Sequence, residues 1–111
     1  ADERLAGAIR RLHERPAEPW TVERLAREAA LSRSTFFERF NRAVGVAPMA
    51  YLLAWRMALA KEQLRRRGST VTEVAERVGY SSASTFSVAF ARHVGVPPAR
   101  YAREHARLPS G

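Results

Sequence analysis

The sequence predicts an all-α protein of about seven helices, arranged as two similar subdomains joined by a long linker helix. Three observations predict this fold. Apolar residues recur at helical spacing, and no stretch shows the sustained period-two alternation of a β-strand. A segment of twenty residues recurs fifty positions later in the chain. Glycine and proline stand where these helices would end and begin.

The internal repeat is the strongest of these signals. Residues 32–51 align with residues 82–101, with eleven identities in twenty positions. Upstream, Thr21-Val22 pairs with Thr70-Val71 at a shift of forty-nine, so one residue differs in the intervening turn. The identical pairs are cap, core and turn residues: Ser32/Ser82, Ser34/Ser84, Thr35/Thr85, Phe36/Phe86, Phe40/Phe90, Arg42/Arg92, Val44/Val94, Gly45/Gly95, Val46/Val96, Pro48/Pro98 and Tyr51/Tyr101.

Each copy is typical of a helix-turn-helix unit, which is a short helix, a tight turn and a longer second helix. Two copies are too few to stack into a solenoid. The alternative is a generic helical bundle whose hairpins look alike. Because the turn and cap chemistry recurs together with the core pattern, the sequence favours two helix-turn-helix subdomains.

The first subdomain is expected in residues 1–46. Its first helix runs from about Asp2 to Glu14, and two prolines beyond it stop the helix. Thr21 caps a short second helix and Ser32 caps the third, because a hydroxyl accepts a hydrogen bond from the free N–H groups of a first turn. Gly45 ends the third helix, since glycine adopts the left-handed conformation at little cost.

A linker helix is predicted within residues 47–67, followed by a second subdomain in 68–106 and a tail in 107–111. Running from Pro48 to about Arg66, the linker would span roughly 28 Å at 1.5 Å per residue. Thr70 and Glu73 form a capping box for the next short helix. The remaining signals are Gly68 after the linker, Gly79 in the turn, Ser81 or Ser82 as a cap, Gly95 as a stop, and Pro97-Pro98 at the last helix.

The second helix of each subdomain carries an aromatic stripe on one face. The stripes are Phe36, Phe40 and Val44 in the first copy, and Phe86, Phe90 and Val94 in the second. Residues spaced four apart lie on one side of a helix, so these side chains are expected in the core. The opposite faces are then free for function.

The charge suggests a polyanionic partner. The chain carries a net charge of +8, and Lys61 is its only lysine among nineteen basic residues. Arginine forks pair well with phosphate and with guanine edges. The alternative is an arginine-rich solvated surface that reflects a GC-rich genome. The remaining open alternatives are a protein-interaction module and non-specific or RNA binding, although RNA modules usually expose stacking aromatics and most aromatics here belong to the core stripes.

Several function classes are not expected. The chain has no cysteine, and its three histidines lack metal-ligand spacing. It shows no phosphate loop or nucleophile motif, so we expect no enzyme activity, no metal and no cofactor. No apolar run approaches the ~20 residues of a membrane span, and the N-terminus has no signal-peptide core. A cytoplasmic protein without membrane contact is therefore expected.

The outward faces supply the candidate DNA contacts. A recognition helix enters the major groove and contacts bases mainly through its N-terminal residues. Serine serves either base edge, glutamate accepts from cytosine, and an apolar group touches a thymine methyl. The predicted base-reading residues are Arg33, Ser34, Phe37 and Glu38 in the first copy, and Ala83, Ser84, Ser87 and Val88 in the second. The predicted phosphate contacts are Thr21, Asn41, Arg42, Arg56, Thr70 and Arg92.

The two helix-turn-helix copies lie in one chain, so a single monomer would contact two unlike groove segments without needing a palindrome. Recognition helices on one face of DNA lie about one turn apart, roughly 34 Å. A linker of roughly 28 Å is long enough to hold such a spacing.

The sequence resembles the AraC/XylS family of bacterial transcription regulators over nearly its whole length. The segments that carry the resemblance are LAREAALSRSTFFERF, AWRMALAKEQL and VTEVAERVGYSSASTFSVAFARHVGVPPARY. The resemblance implies a seven-helix domain that binds double-stranded promoter DNA and regulates transcription, often in contact with RNA polymerase. Most members also carry an effector or dimerisation domain. We therefore expect this chain to be the DNA-binding portion alone, monomeric as it stands.

Two positions depart from the family pattern. Many members carry an arginine on the reading face where this chain has Glu38 and Val88. Arg39 lies one position later, towards the core side of the helix. An arginine–guanine contact is therefore not carried over, and the second copy is expected to act more through shape, thymine methyls or backbone anchoring.

Overall fold

The computed structural model describes residues 2–106, and these contain seven α-helices and no strand. The helices are α1 (Glu3–Glu14), α2 (Val22–Glu28), α3 (Arg33–Val44), α4 (Pro48–Leu64), α5 (Val71–Arg77), α6 (Ala83–Val94) and α7 (Pro98–His105). The predicted all-α fold with two helix-turn-helix units, α2–α3 and α5–α6, is confirmed. The predicted tail, 107–111, lies outside the described residues.

The predicted caps hold the helix ends. The hydroxyls of Thr21 and Ser32 accept hydrogen bonds from the backbone three residues on, and Asp2 does the same for α1. Thr70 forms the predicted capping box with Glu73. Of the two serines considered for α6, Ser82 is the cap. The linker helix ends at Leu64, two residues earlier than expected, because the backbone tightens there into a bond from Arg66 N–H to the Gln63 carbonyl.

The chain divides into two compact units whose boundary falls between Trp55 and Arg56, inside α4. The first unit has a core contributed by α1 to α4: Leu5, Ala8, Leu12, Trp20, Val22, Leu25, Ala26, Ala29, Phe36, Phe40 and Leu52. The second has its own core from α4 to α7: Met57, Ala60, Leu64, Val74, Ala75, Val78, Phe86, Phe90 and Tyr101. The phenylalanines of both predicted stripes are fully buried, whereas the two valines of the stripes are partly buried.

The structure extends the repeat beyond the copies seen in the sequence. In α1 the buried residues are Leu5, Ala8 and Leu12; in the second half of α4 they are Met57, Ala60 and Leu64, fifty-two positions later and at the same spacing. The start of α4 corresponds in turn to α7, through the repeated Pro48/Pro98 and Tyr51/Tyr101 pairs. One helix therefore closes the first unit and opens the second.

The turns of the two helix-turn-helix units have the same hydrogen bonds. Leu31 N–H donates to the carbonyl of Ala26 at 3.0 Å, and Tyr80 N–H donates to that of Ala75 at 2.8 Å. This six-to-one bond is the Schellman motif, which needs a left-handed residue just before the donor. The second turn supplies Gly79 at φ +102°, but the first supplies Ala30 at φ +55°. Ala30 thus holds a conformation that costs a non-glycine residue about 1–2 kcal/mol.

Candidate nucleic-acid interface

The outward face of α3 is solvent-exposed, because the helix buries Phe36 and Phe40 on its other side. All predicted contact residues of this helix are exposed: Arg33, Ser34, Phe37, Glu38, Asn41 and Arg42. Phe37 is an apolar residue with 38% of its surface exposed. Such a ring, set among polar groups near a helix N-terminus, has the character needed to contact a thymine methyl.

Two ion pairs engage the arginines of α3 that were predicted to contact DNA. Arg33 Nε lies 2.8 Å from Glu23 Oε1 on α2, and Arg42 Nη2 lies 3.3 Å from Glu38 Oε1 one turn earlier. A backbone hydrogen bond at Glu23 and the neighbouring Arg33 hold the pKa of the Glu23 carboxyl below its ordinary value. The guanidinium of Arg33 is therefore directed towards α2, and a base contact requires it to leave this partner.

The outward face of α6 has a different chemistry. Ser84, Val88 and Arg92 are exposed, and Val88 exposes 54% of its surface. Ala83 and Ser87, which were also predicted to contact bases, are half-buried. The α6 sequence contains no acidic residue, so Arg92 has no carboxylate on its own helix of the kind that Glu38 provides to Arg42. The second unit therefore presents a small, apolar reading face with an exposed arginine near its end.

The two threonines predicted to contact phosphate both serve as N-caps. At α5, Glu73 also accepts from the Thr70 N–H at 3.2 Å, which places a carboxylate at that helix start. In the first unit the equivalent position is Arg24, whose Nη2 lies 3.2 Å from Glu18 and whose guanidinium lies 4.5 Å from the Trp20 ring centre. Both helix starts therefore carry a first-turn carboxylate, Glu23 in α2 and Glu73 in α5, and α2 has the guanidinium of Arg24 beside it as well.

Arg56, the remaining predicted phosphate contact, is half-buried and lies against the turn between α5 and α6. Burial lowers the pKa of its guanidinium, and the nearby Tyr80 opposes this effect. No local sequence pattern indicates this contact, because twenty-three positions separate Arg56 from Gly79. The only available signal was the difference between the two copies, which have Gly79 in one turn and Ala30 in the other.

Residues 2–106 contain no group of histidines and carboxylates arranged to hold a metal ion. Over the same residues, no single helix combines the length and the apolar character of a membrane span.

Comparisons with known proteins agree with this geometry. A family model described as "Helix-turn-helix domain" matches residues 25–104. A putative AraC-like transcription regulator from Streptomyces lividans is 48% identical over 109 residues, which is 98% of this chain and 36% of that protein. The chain thus spans about a third of the length of the curated relatives it matches.

Solved structures match over almost the full length. The DNA-binding domain of AdpA, a global transcriptional factor solved in complex with a target DNA, is 36% identical with a TM-score of 0.88, covering 97% of this chain and 98% of that one. The C-terminal domain of AraT, a response regulator from Geobacillus stearothermophilus, is 26% identical with a TM-score of 0.91, covering 97% and 90%.

Proposed function

The chain belongs to the AraC/XylS family of helix-turn-helix proteins, and from this premise we propose that it binds double-stranded promoter DNA and regulates transcription. Each of α3 and α6 enters a major-groove segment, and the two segments are adjacent on one duplex. The observation that carries the proposal is the pair of exposed recognition helices, each capped by a serine and backed by two fully buried phenylalanines.

The two units contribute differently to recognition. In the first, Ser34 and Glu38 supply hydrogen-bonding groups and Phe37 supplies an apolar contact. In the second, Ser84 and Val88 offer a smaller surface that suits shape and thymine methyl contacts. The half-buried Ser87 and Ala83, and Arg33 once it leaves Glu23, complete the proposed base-reading set.

Phosphate contacts position both helices without specifying sequence. Arg42 and Asn41 serve this purpose beside α3, and Arg92 serves it beside α6. In the same proposal, Thr21 and Thr70 place the starts of α2 and α5 near the phosphate backbone of the DNA. The net charge of +8 supports such a role, because counterion release makes phosphate binding favourable at low salt.

The curated relatives are about three times as long as this chain and therefore have further parts. We propose that those parts provide effector binding or dimerisation, and that RNA polymerase is a partner at the promoter. On its own, this chain acts as a monomer in the cytoplasm.

The test is binding to duplexes selected from a random pool, followed by a salt titration against random duplex. We expect the chain to enrich a defined sequence and to prefer it over random DNA as salt screens the electrostatic part of binding. Arg92→Ala should weaken both duplexes similarly and reduce the slope of log affinity against log salt by about 1. Arg10→Ala, on the exposed side of α1, is the matched control and should leave the slope unchanged. No binding to any duplex at low salt would overturn the proposal.

A further inference from the structure

The guanidinium of Arg56 lies beside Gly79, within overlap distance of the point where a side chain of that residue would begin. A Cβ added to Gly79 would lie 2.8 Å from Nη2, 2.9 Å from Cζ and 3.0 Å from Nε of this arginine. All three separations are at or inside the closest approach that real Cβ atoms show. The φ of +102° at Gly79 disfavours other residues. A side chain at this position would also have to displace the guanidinium of Arg56, which is the far end of a flexible side chain.

Aromatic contacts connect this arginine to the recognition helix of the second unit. Its Cζ lies 5.9 Å from the ring centre of Tyr80, at the outer limit of a cation–π contact. Tyr80 in turn packs edge-on against Phe86 of α6, with ring centres 5.5 Å apart. Met57, the residue after the arginine, is fully buried in the same core. This packing holds the backbone of α4 at Arg56 in place relative to the core of the second unit.

The first unit provides an internal comparison. Arg4 precedes the core residue Leu5 as Arg56 precedes Met57, and Ala30 takes the place of Gly79. Arg4 is exposed, and Ala30 already carries a Cβ at the position that the guanidinium takes in the second unit. The two turns therefore have the same backbone hydrogen bonds but different support, and the arginine clamp belongs to the second unit.

We propose that Arg56 is a positioning residue for DNA recognition by the second unit. Its guanidinium holds the turn between α5 and α6, and thereby sets the direction in which α6 presents Ser84 and Val88 to the major groove. This role rests on the proposed function, and it differs from the phosphate contact expected from the sequence. A phosphate contact needs only an accessible charge, whereas a clamp needs the planar group to fit against a glycine.

The contact itself is tested by a double-mutant cycle of Arg56→Ala and Gly79→Ala, followed by urea unfolding. In the natural background, Gly79→Ala combines the left-handed backbone cost, about five- to thirtyfold in the unfolding constant, with the overlap against the guanidinium. With Arg56→Ala present, only the backbone cost remains, so the fold-change caused by Gly79→Ala should be smaller than in the natural background. If Gly79→Ala alone fails to fold, folding of the double variant gives the same support. Equal fold-changes in both backgrounds would overturn the clamp.

The role in recognition is tested on a duplex that the natural chain selects from a random pool. We expect Arg56→Lys to lose affinity almost as much as Arg56→Ala, at least about fivefold, which is the lower end of what one mismatched base pair costs. The slope of log affinity against log salt should stay unchanged in Arg56→Gln. Selection repeated with Arg56→Ala should relax the preferred bases in one half of the site only. Arg4→Ala is the matched control from the first unit and should leave that preference unchanged.

The outcomes separate the two proposals. Natural-like affinity of Arg56→Lys together with a slope reduced by about 1 in Arg56→Gln would identify a phosphate contact and overturn the positioning role. Unchanged affinity and selection for Arg56→Ala would overturn it as well. If the natural chain itself enriches no sequence, the proposed function fails and the DNA role of Arg56 fails with it, whatever the unfolding cycle shows.

Discussion

The hydroxyl of Tyr51 lies 2.6 Å from Nε2 of His13, and this hydrogen bond joins the start of α4 to the end of α1. The second unit makes the corresponding bond with different chemistry. There the hydroxyl of Tyr101 accepts from Nε and Nη2 of Arg65 at 3.2 and 3.1 Å. His13 and Arg65 are separated by fifty-two positions, the same offset as the core residues of α1 and α4. Each repeated tyrosine thus bonds within its own unit, Tyr51 to the opening helix α1 and Tyr101 to the turn that directly follows α4.

Tyr51→Phe should lower the free energy of unfolding by about 1 kcal/mol, because it removes one partly buried hydrogen bond and keeps the ring that packs on Phe40. Urea unfolding measures the change. The control is His13→Ala made with and without Tyr51→Phe, since the tyrosine change should cost less once its partner is gone. An unchanged stability of Tyr51→Phe would show that the bond contributes nothing net.

Ala30→Gly should raise the free energy of unfolding by up to about 1 kcal/mol. Removing the Cβ relieves the left-handed strain, although the added freedom of glycine in the unfolded chain offsets part of the gain. The measurement is the urea concentration at the midpoint of unfolding, compared between variants whose unfolding free energy falls with urea at the same slope. Ala54→Gly, at an exposed position inside α4, should instead lose about 1 kcal/mol. A loss at both positions would contradict the strain at Ala30.

Glu38→Ala should change the bases selected by the first unit and also raise affinity for random duplex by about two- to fivefold. The variant removes an acceptor from the reading face and frees Arg42 from an exposed ion pair of 3.3 Å. Selection from a random pool and titration with random duplex measure the two effects. Glu14→Ala, on the exposed end of α1, is the control for the loss of one negative charge. If the selected sequence stays the same, Glu38 does not contact bases.

Acid should weaken the capping box of α5. The hydrogen bonds from Thr70 side chain and backbone hold the pKa of the Glu73 carboxyl below the ordinary value of 4.5. Because the folded-state pKa is the lower one, the stabilisation is present above 4.5 and is lost as pH falls through the folded-state pKa. The free energies of unfolding of Glu73→Gln and of the natural chain should therefore differ at neutral pH and converge as the pH falls below the folded-state pKa of Glu73. Glu76→Gln, on the same helix but outside the capping box, is the matched control for the loss of one carboxylate.

The sequence predicted most of the fold because its signals are local. A capping hydroxyl acts on a backbone group three residues away, so Thr21, Ser32 and Thr70 are recognisable from their neighbours. The left-handed turn at Gly79 is equally local. Ala30 was missed as a left-handed residue because alanine carries no such signal, and only the tertiary frame holds it there.

The candidate site was predicted less completely, because its details depend on contacts between distant residues. Helical periodicity identified which side of α3 and α6 faces out. It did not show that Arg33 pairs with Glu23 on the preceding helix, or that Arg56 lies on Gly79. Whether the outward residues touch bases depends on the duplex, so those contacts remain predictions.

The sharing of α4 by the two units has a consequence for proteolysis. Proteases cut chains that are extended in their active sites, and such segments are usually exposed loops. Between Pro48 and Leu64 the backbone is helical throughout, and the boundary between the units falls inside this stretch. Limited digestion should therefore cut first elsewhere, and the release of two intact halves would require α4 to open.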